Sequence, residues 1–340
     1  MANYFQPYAS CSPSAEKDSY VYKIVPCSGQ NLAGITSADE VFVVNSGSLD
    51  TASGILLPSP PSQITCLVPS DDGRAVICSG KDEVCVFDLR SYERTTTFKV
   101  GKAVTALACK GTSLAVGTEY LNHQAVVSVW DLRQPSAASW SNAENHDDIT
   151  AIDFHPSKSN IVLAGGDDGQ VSIFDSLIAE EQDSLVQGFT HGPIHKAGFL
   201  DQNSMYALSS DQNLALHPVF DDARVEEPTP MLLGDLRPVI PCEYVIDVLR
   251  TESESVVAAG SHSMSQVDMV PIGSAGSLDL NNRIILQGTH GEEIVRSIFV
   301  KDNMIFTAGE DGRVQAYRAS SSQSTQKPTK TKKESRYKPY

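Results

Sequence analysis

Apolar residues along this chain fall in short strand-length runs, with Gly, Asp, Asn and Ser between them. Residues 63–68 form one such run, 75–79 a second, 83–87 a third and 95–100 a fourth. The connection at 69–73 holds Asp71, Asp72 and Gly73, where Asp accepts backbone hydrogen bonds and Gly supplies positive φ. No segment shows a convincing amphipathic-helix repeat, so the pattern predicts closely spaced β-strands. The strands come in groups of three or four. The first strand of each group begins near Ser19, Gln63, Ala103, Asp148, Pro193, Glu243 and Glu293.

The groups recur at intervals of roughly 40 to 50 residues, the size of a four-stranded propeller blade. A phrase recurs with them. Val84-Cys85-Val86-Phe87-Asp88-Leu89-Arg90 returns as Val127-Ser128-Val129-Trp130-Asp131-Leu132-Arg133, and a weaker copy is Val171-Ser172-Ile173-Phe174-Asp175. Repeats that cannot bury their faces alone must stack, and a closed ring of sheets leaves no long open edge. The predicted fold class is therefore all-β, a seven-bladed β-propeller of four-stranded antiparallel blades. It would occupy residues 1–318 as one domain, followed by a flexible basic tail at 319–340. The seventh group holds three strands only, at 294–300, 304–309 and 313–317. The N-terminal stretch around Tyr4, Phe5 and Tyr8 is the candidate for the missing outer strand.

Composition narrows the function classes. The chain has 340 residues, 41% apolar and 20% charged, enough to build a large core. Its seven cysteines are odd in number, several lie inside predicted strands, and none forms a Cys-x-x-Cys pair. That pattern predicts reduced, buried thiols in an intracellular protein of the nucleus or cytoplasm. No leader-like or membrane-length apolar run is visible, so no membrane association is expected. The net charge of −16 is uneven: residues 319–340 carry six cations and one anion, leaving −21 for the body. An acidic body repels nucleic acid and attracts basic protein partners, although acidity also keeps a large domain soluble. The tail segment Lys327-Pro328-Thr329-Lys330-Thr331-Lys332-Lys333 has the composition of a nuclear localisation patch or of a solvated end.

With Trp130-Asp131 and the seven-fold period, the chain resembles the WD-repeat β-propeller superfamily over roughly residues 19–318. In overall length, degenerate blades and basic tail it is similar to the WD repeat-containing protein 89 family. The resemblance implies a blade lock, in which a His, a Ser or Thr, an Asp and a Trp hydrogen-bond in series. The fourth blade has His146 and Asp168, the fifth His191, Ser209 and Asp211, and the seventh His290 and Asp311, while Trp130 and Asp131 end the third strand of the third blade. The set is degraded: Gly166, Phe174, His217 and Tyr317 replace lock residues, and the sixth blade carries no readable signature. The resemblance also implies no enzymatic activity, and the aromatic-Asp-x-Arg endings at Arg90 and Arg133 resemble those of substrate receptors docked to cullin-type ubiquitin ligases. The plain alternative is an Arg pairing with a nearby Asp.

No catalytic, cofactor or metal site is expected. His191 and His195 are four apart, but nothing completes a metal set around them. The acidic pairs before Gly73, Gly169 and Gly312 read as turns rather than as acid–base pairs. No nucleophile elbow or phosphate loop is present. The expectation is a protein-interaction scaffold, without a small-molecule substrate or specific nucleic-acid binding, monomeric within a larger complex. An escort for a basic ribosomal or nucleic-acid-associated protein fits the charge; a ligase substrate receptor is the alternative. The candidate contact residues are Lys81, Asp167 and Glu310 beside the locks, Asp147 and Asp148 on a neighbouring loop, and Arg90 and Arg133.

Overall fold

The computed structural model describes residues 3–16, 18–51, 54–220, 229–251, 254–273 and 276–319; the predicted tail from residue 320 onward lies outside them. The described residues hold 28 strands, in five four-stranded sheets and one eight-stranded sheet. The sheets make the seven-bladed β-propeller that the period predicts. The inner strands are Val21–Pro26, Cys66–Pro69, Val104–Lys110, Ile149–Phe154, Ile194–Phe199, Tyr244–Arg250 and Val295–Lys301. The last of them packs beside the first, which closes the ring.

The core lies between blades. In the second blade Val76, Cys78, Cys85 and Phe87 pack against Val25, Ala33, Ile35 and Val41 of the first blade. From the same sheet Ile77, Val84 and Phe98 pack against Val104, Leu114, Val116 and Trp130 of the third. Successive side chains of a strand point to opposite faces, and both faces are covered here. That is why the middle strands read as continuous apolar runs rather than as clean alternation.

The eight-stranded sheet comes from the N-terminal strand Asn3–Cys11. It runs antiparallel to Val314–Ala319 of the seventh blade, from Phe5 opposite Ala319 to Cys11 opposite Val314. It also runs parallel to Ile284–Gln287, the outer strand of the sixth blade, with Phe5 opposite Leu286. One segment thus completes the seventh blade and welds it to the sixth. Pro7 sits where the register shifts, a place where a residue without an N–H is tolerated.

The inner strands of every blade but the second show a register shift within their first four residues. The extra residue of a bulge re-aims its side chain. Thr105 and Thr150 at two of these bulges, and Thr65 just before the second blade's inner strand, each donate a hydroxyl to the next blade, at the carbonyl oxygens of Ile149, Ile194 and Val104, over 2.6, 2.5 and 2.5 Å. Lysines at the far ends of two inner strands make similar staples. Lys110 donates to the carbonyls of His155 and Pro156, and Lys301 to those of Cys27, Gly29 and Asn31 across the seam between the last blade and the first.

Candidate interaction surfaces

Four antiparallel strands per blade divide the connections between two faces. The upper face carries the turns between second and third strands and the loops between blades. The lower face carries the remaining turns. Lys81, Asp167 and Glu310, in second-to-third turns, and Asp147 and Asp148, in an interblade loop, therefore lie on the upper face. Arg90 and Arg133 follow third strands and lie on the lower face. The candidate contact residues form two separate groups, not one.

The upper face is acidic. Its second-to-third turns carry Asp39 and Glu40, Asp82, Glu119, Asp167 and Asp168, Asp211, and Glu310 and Asp311, so every blade but the sixth places an acid there. Asp147 and Asp148 add to them, but Asp148 is engaged: its carboxylate accepts the Tyr120 N–H over 2.6 Å. Glu310 is held by Arg296 of the neighbouring inner strand, whose Nε lies at 2.8 Å. Lys81 and Asp167 are exposed. Acidic turns on both faces, the Asp71-Asp72-Gly73 turn being on the lower one, follow the turn chemistry read from the sequence. Asp72, Asp168 and Asp311 each accept the N–H two residues on, and Gly73, Gly169 and Gly312 have φ of 65°, 84° and 70°.

On the lower face, Arg90 and Arg133 fold back on their own aspartates. Arg90 donates its backbone N–H, Nε and Nη2 to Asp88 over 2.7, 3.3 and 2.9 Å, and Arg133 does the same to Asp131 over 2.9, 2.9 and 2.7 Å. Those side-chain and backbone donors hold the Asp88 and Asp131 carboxyls down at about 2. Both arginines remain 82% and 71% exposed. Arg237 repeats the arrangement on Asp235, donating from N, Nε and Nη2. This third Asp-Leu-Arg ends an outer strand and so faces the upper side. The literal tripeptide Asp235-Leu236-Arg237 was there to be read, but it lacks the Val-x-Val-aromatic lead of the others. The same closed turn on both faces shows that the motif is first a local device for capping a strand end.

Among the described residues, only the seventh blade forms the lock that the resemblance implies. His290, only 2% exposed, places Nδ1 2.6 Å from Asp311 and Nε2 2.8 Å from the Thr307 hydroxyl. An ionised carboxylate only accepts, so Nδ1 carries a proton and donates it to Asp311. Tyr317, at the Trp position, is fully buried and donates to Gln315. The partial sets named in the third, fourth and fifth blades form no such series. In the fourth blade Gly166 offers no hydroxyl, His146 is exposed, and Asp168 serves its own turn. In the fifth, His191 bonds the carbonyl of Asn213 over 3.1 Å, Ser209 accepts the Asn213 N–H, and only the backbone oxygen of Asp211 is engaged, by Arg237. In the third, the Trp130 indole N–H goes to Ser128 of its own strand at 2.9 Å rather than to a neighbouring strand, and Asp131 is held by Arg133.

His217 shows what replaces the fifth lock. Its ring stacks on Phe189 with centroids 3.6 Å apart, and its Nε2 is buried without a partner. Burial, then the nearby His191 charge, pulls its pKa down to about 4. An imidazole depressed in the folded state and ordinary in the unfolded one destabilises the fold as pH falls. The loss begins below about pH 6.5, where the unfolded chain binds the proton, and is complete near pH 4. For a shift of this size it reaches about 3 kcal/mol. Urea titrations at pH 7 and pH 4.5 are expected to differ less in His217→Phe than in the parent; an equal difference would show that the group is not responsible.

Among the described residues no group of three His, Cys, Asp or Glu side chains is placed to hold a metal ion, and no helix is long and apolar enough to cross a membrane. Cysteine pairing is not used. All seven cysteines are free, and burial pushes the thiols of Cys11 and Cys27 up to about 11.

The WD domain, G-beta repeat family matches residues 140–175. That span is the outer strand of the third blade followed by three strands of the fourth, a sequence repeat offset by one strand from the structural blade. An uncharacterized WD repeat-containing protein of Saccharomyces cerevisiae is 32% identical over 72% of this chain and 64% of its own length, so the match spans just under two thirds of that relative. A second, of Schizosaccharomyces pombe, is 29% identical over 77% of the chain and 85% of its own length. The WD repeat-containing protein GTS1 of Arabidopsis thaliana is 23% identical over 77% and 74%. In its repeat match, in these relatives and in its seven-bladed ring, the chain is similar to the WD-repeat superfamily.

Proposed function

We propose that this chain is a non-enzymatic protein-interaction scaffold that takes a basic protein partner on its upper face. WD-repeat proteins are in general scaffolds of this kind, and a rigid ring displays its loops without further machinery. The observation that carries the face assignment is the acid in the upper turns of six blades. Long-range attraction by such a face raises the rate of encounter with a cationic surface and falls off with salt. A ribosomal or other nucleic-acid-associated protein, escorted until it meets its nucleic acid, has the required charge. Pull-down at rising salt is the test. Basic proteins should be retained at low salt and released as salt rises, and Asp167→Lys with Asp211→Lys should weaken retention. Neutral or acidic partners with salt-independent retention would overturn the reading.

A second reading, docking of a ubiquitin-ligase adaptor through Arg90 and Arg133, is favoured by their exposure on one face of adjacent blades. The Arg90→Ala, Arg133→Ala double variant should lose adaptor binding while melting as the parent does; retained binding would reject it. The finer likeness to the WD repeat-containing protein 89 family rests on length, degenerate blades and the basic tail.

A further inference from the structure

The inner strands of all seven blades enclose a channel of about 520 Å³, and its lining does not match the outer surface. The chain carries a net charge of −16, yet four cations reach the channel, Lys23, Lys196, Arg250 and Arg296, against two acids, Asp153 and Asp247. Arg296 is taken up by Glu310 at the upper rim. Arg250 and Lys23 lie 3.9 Å from Asp153 and Asp247, beyond hydrogen-bond distance. Lys196 has no ion pair or hydrogen bond among the described residues.

Lys23 and Lys196 come from the first and fifth blades and hold equivalent places, each directly past the bulge of its inner strand. They feel one another. Burial first, and then the charge of Lys196, pulls Lys23 below the ordinary lysine range, with Asp247 opposing. His195 beside them is lowered by burial and then by Lys196. Two ammonium groups lining one channel, of which only Lys23 has a carboxylate nearby, Asp247 at 3.9 Å, repel each other and favour an anion between them. The hydroxyls of Thr65, Thr105 and Thr150 are already spent on backbone carbonyls, so recognition in the channel falls to charge.

We propose that the channel holds a small oligophosphate anion between Lys23 and Lys196, with the Arg250 guanidinium as a third contact. The volume is that of a small-ligand pocket. Point-charge ammonium groups together with one planar guanidinium are the donors that oxyanions of multiple charge select. Arg250 ends its inner strand at the lower face, whereas the cation at the upper rim, Arg296, is taken up by Glu310, so the anion enters from below. This assignment does not depend on the proposed docking face.

Pyrophosphate titrated into the full chain by calorimetry, at ionic strength held constant with sodium chloride, tests it. Saturable binding is expected. Lys196→Met and Lys23→Met should each weaken it at least tenfold, and the double variant should abolish it. Without ligand, Lys196→Met should melt no lower than the parent, because an unpaired cation has been removed; this separates an emptied site from a damaged fold. No heat beyond the chloride control would overturn the proposal, as would unchanged binding in the double variant. Binding of a phosphoserine peptide while pyrophosphate stays inert would overturn the small-anion assignment.

Discussion

Removing residues 1–12 is expected to lower the melting temperature by roughly 10 °C or more. The deletion strips two neighbours at once. Val314–Ala319 loses an antiparallel partner and Ile284–Gln287 loses a parallel one. Each ladder bond contributes about 1 kcal/mol net, and Phe5, Ala9 and Cys11 also leave the apolar contacts they cover. The sum is about 5 kcal/mol, a large share of what a folded domain has to spare. Two bare strand edges should also promote association, visible as a shift to larger species in light scattering. Phe5→Asp leaves the strand in place and should give a smaller part of the same loss. A deletion that melts as the parent does would mean that the other six blades hold the ring without the weld.

The second large effect is expected at His290. His290→Ala should cost about 3 kcal/mol, because it leaves Thr307 and Asp311 without their partner inside the seventh blade. His146→Ala, on an exposed side chain, should stay within about 0.5 kcal/mol. Chemical denaturation of the two variants against the parent decides the matter; equal losses would mean that the lock stabilises no more than a surface loop does. The seventh lock also has its own acid limit. Desolvation alone would raise the Asp311 carboxyl, but the His290 hydrogen bond and charge and the Arg313 N–H together hold it below the ordinary range. Its contribution is therefore present above the ordinary carboxylate pKa and is lost as pH falls through the depressed one. His217 acts at higher pH, between about 6.5 and 4, so the two titrations can be told apart.

The readings that the structure upheld and those it corrected differ in the distance between the residues involved. Turns such as Asp71-Asp72-Gly73 were legible because Asp72 bonds an N–H two residues away. The missing outer strand of the seventh blade was legible because the count of strands came out one short, although the parallel pairing of the N-terminal strand with the sixth blade was not. The degraded sets of the third, fourth and fifth blades do not close into a lock. A His, a Ser and an Asp at suitable spacing do not form a network unless the hydroxyl and the ring meet, and Gly166 or a stacked His217 is enough to prevent it. The candidate contact residues could be named from their turns, but not sorted, since the face on which a turn lies depends on how many strands precede it in its blade.

The sequence by itself determined the period, the strand and turn chemistry and the excess of acid, because each is written within a few neighbouring residues. Tertiary structure decided the rest: the weld of the sixth and seventh blades, the single working lock among the described residues and the cations of the channel. Lys23 and Lys196 stand far apart in the chain and at equivalent places in two different blades, and only closure of the ring turns them toward one space. Covalent neighbours set local structure, whereas an electrostatic site depends on distances that closure alone creates.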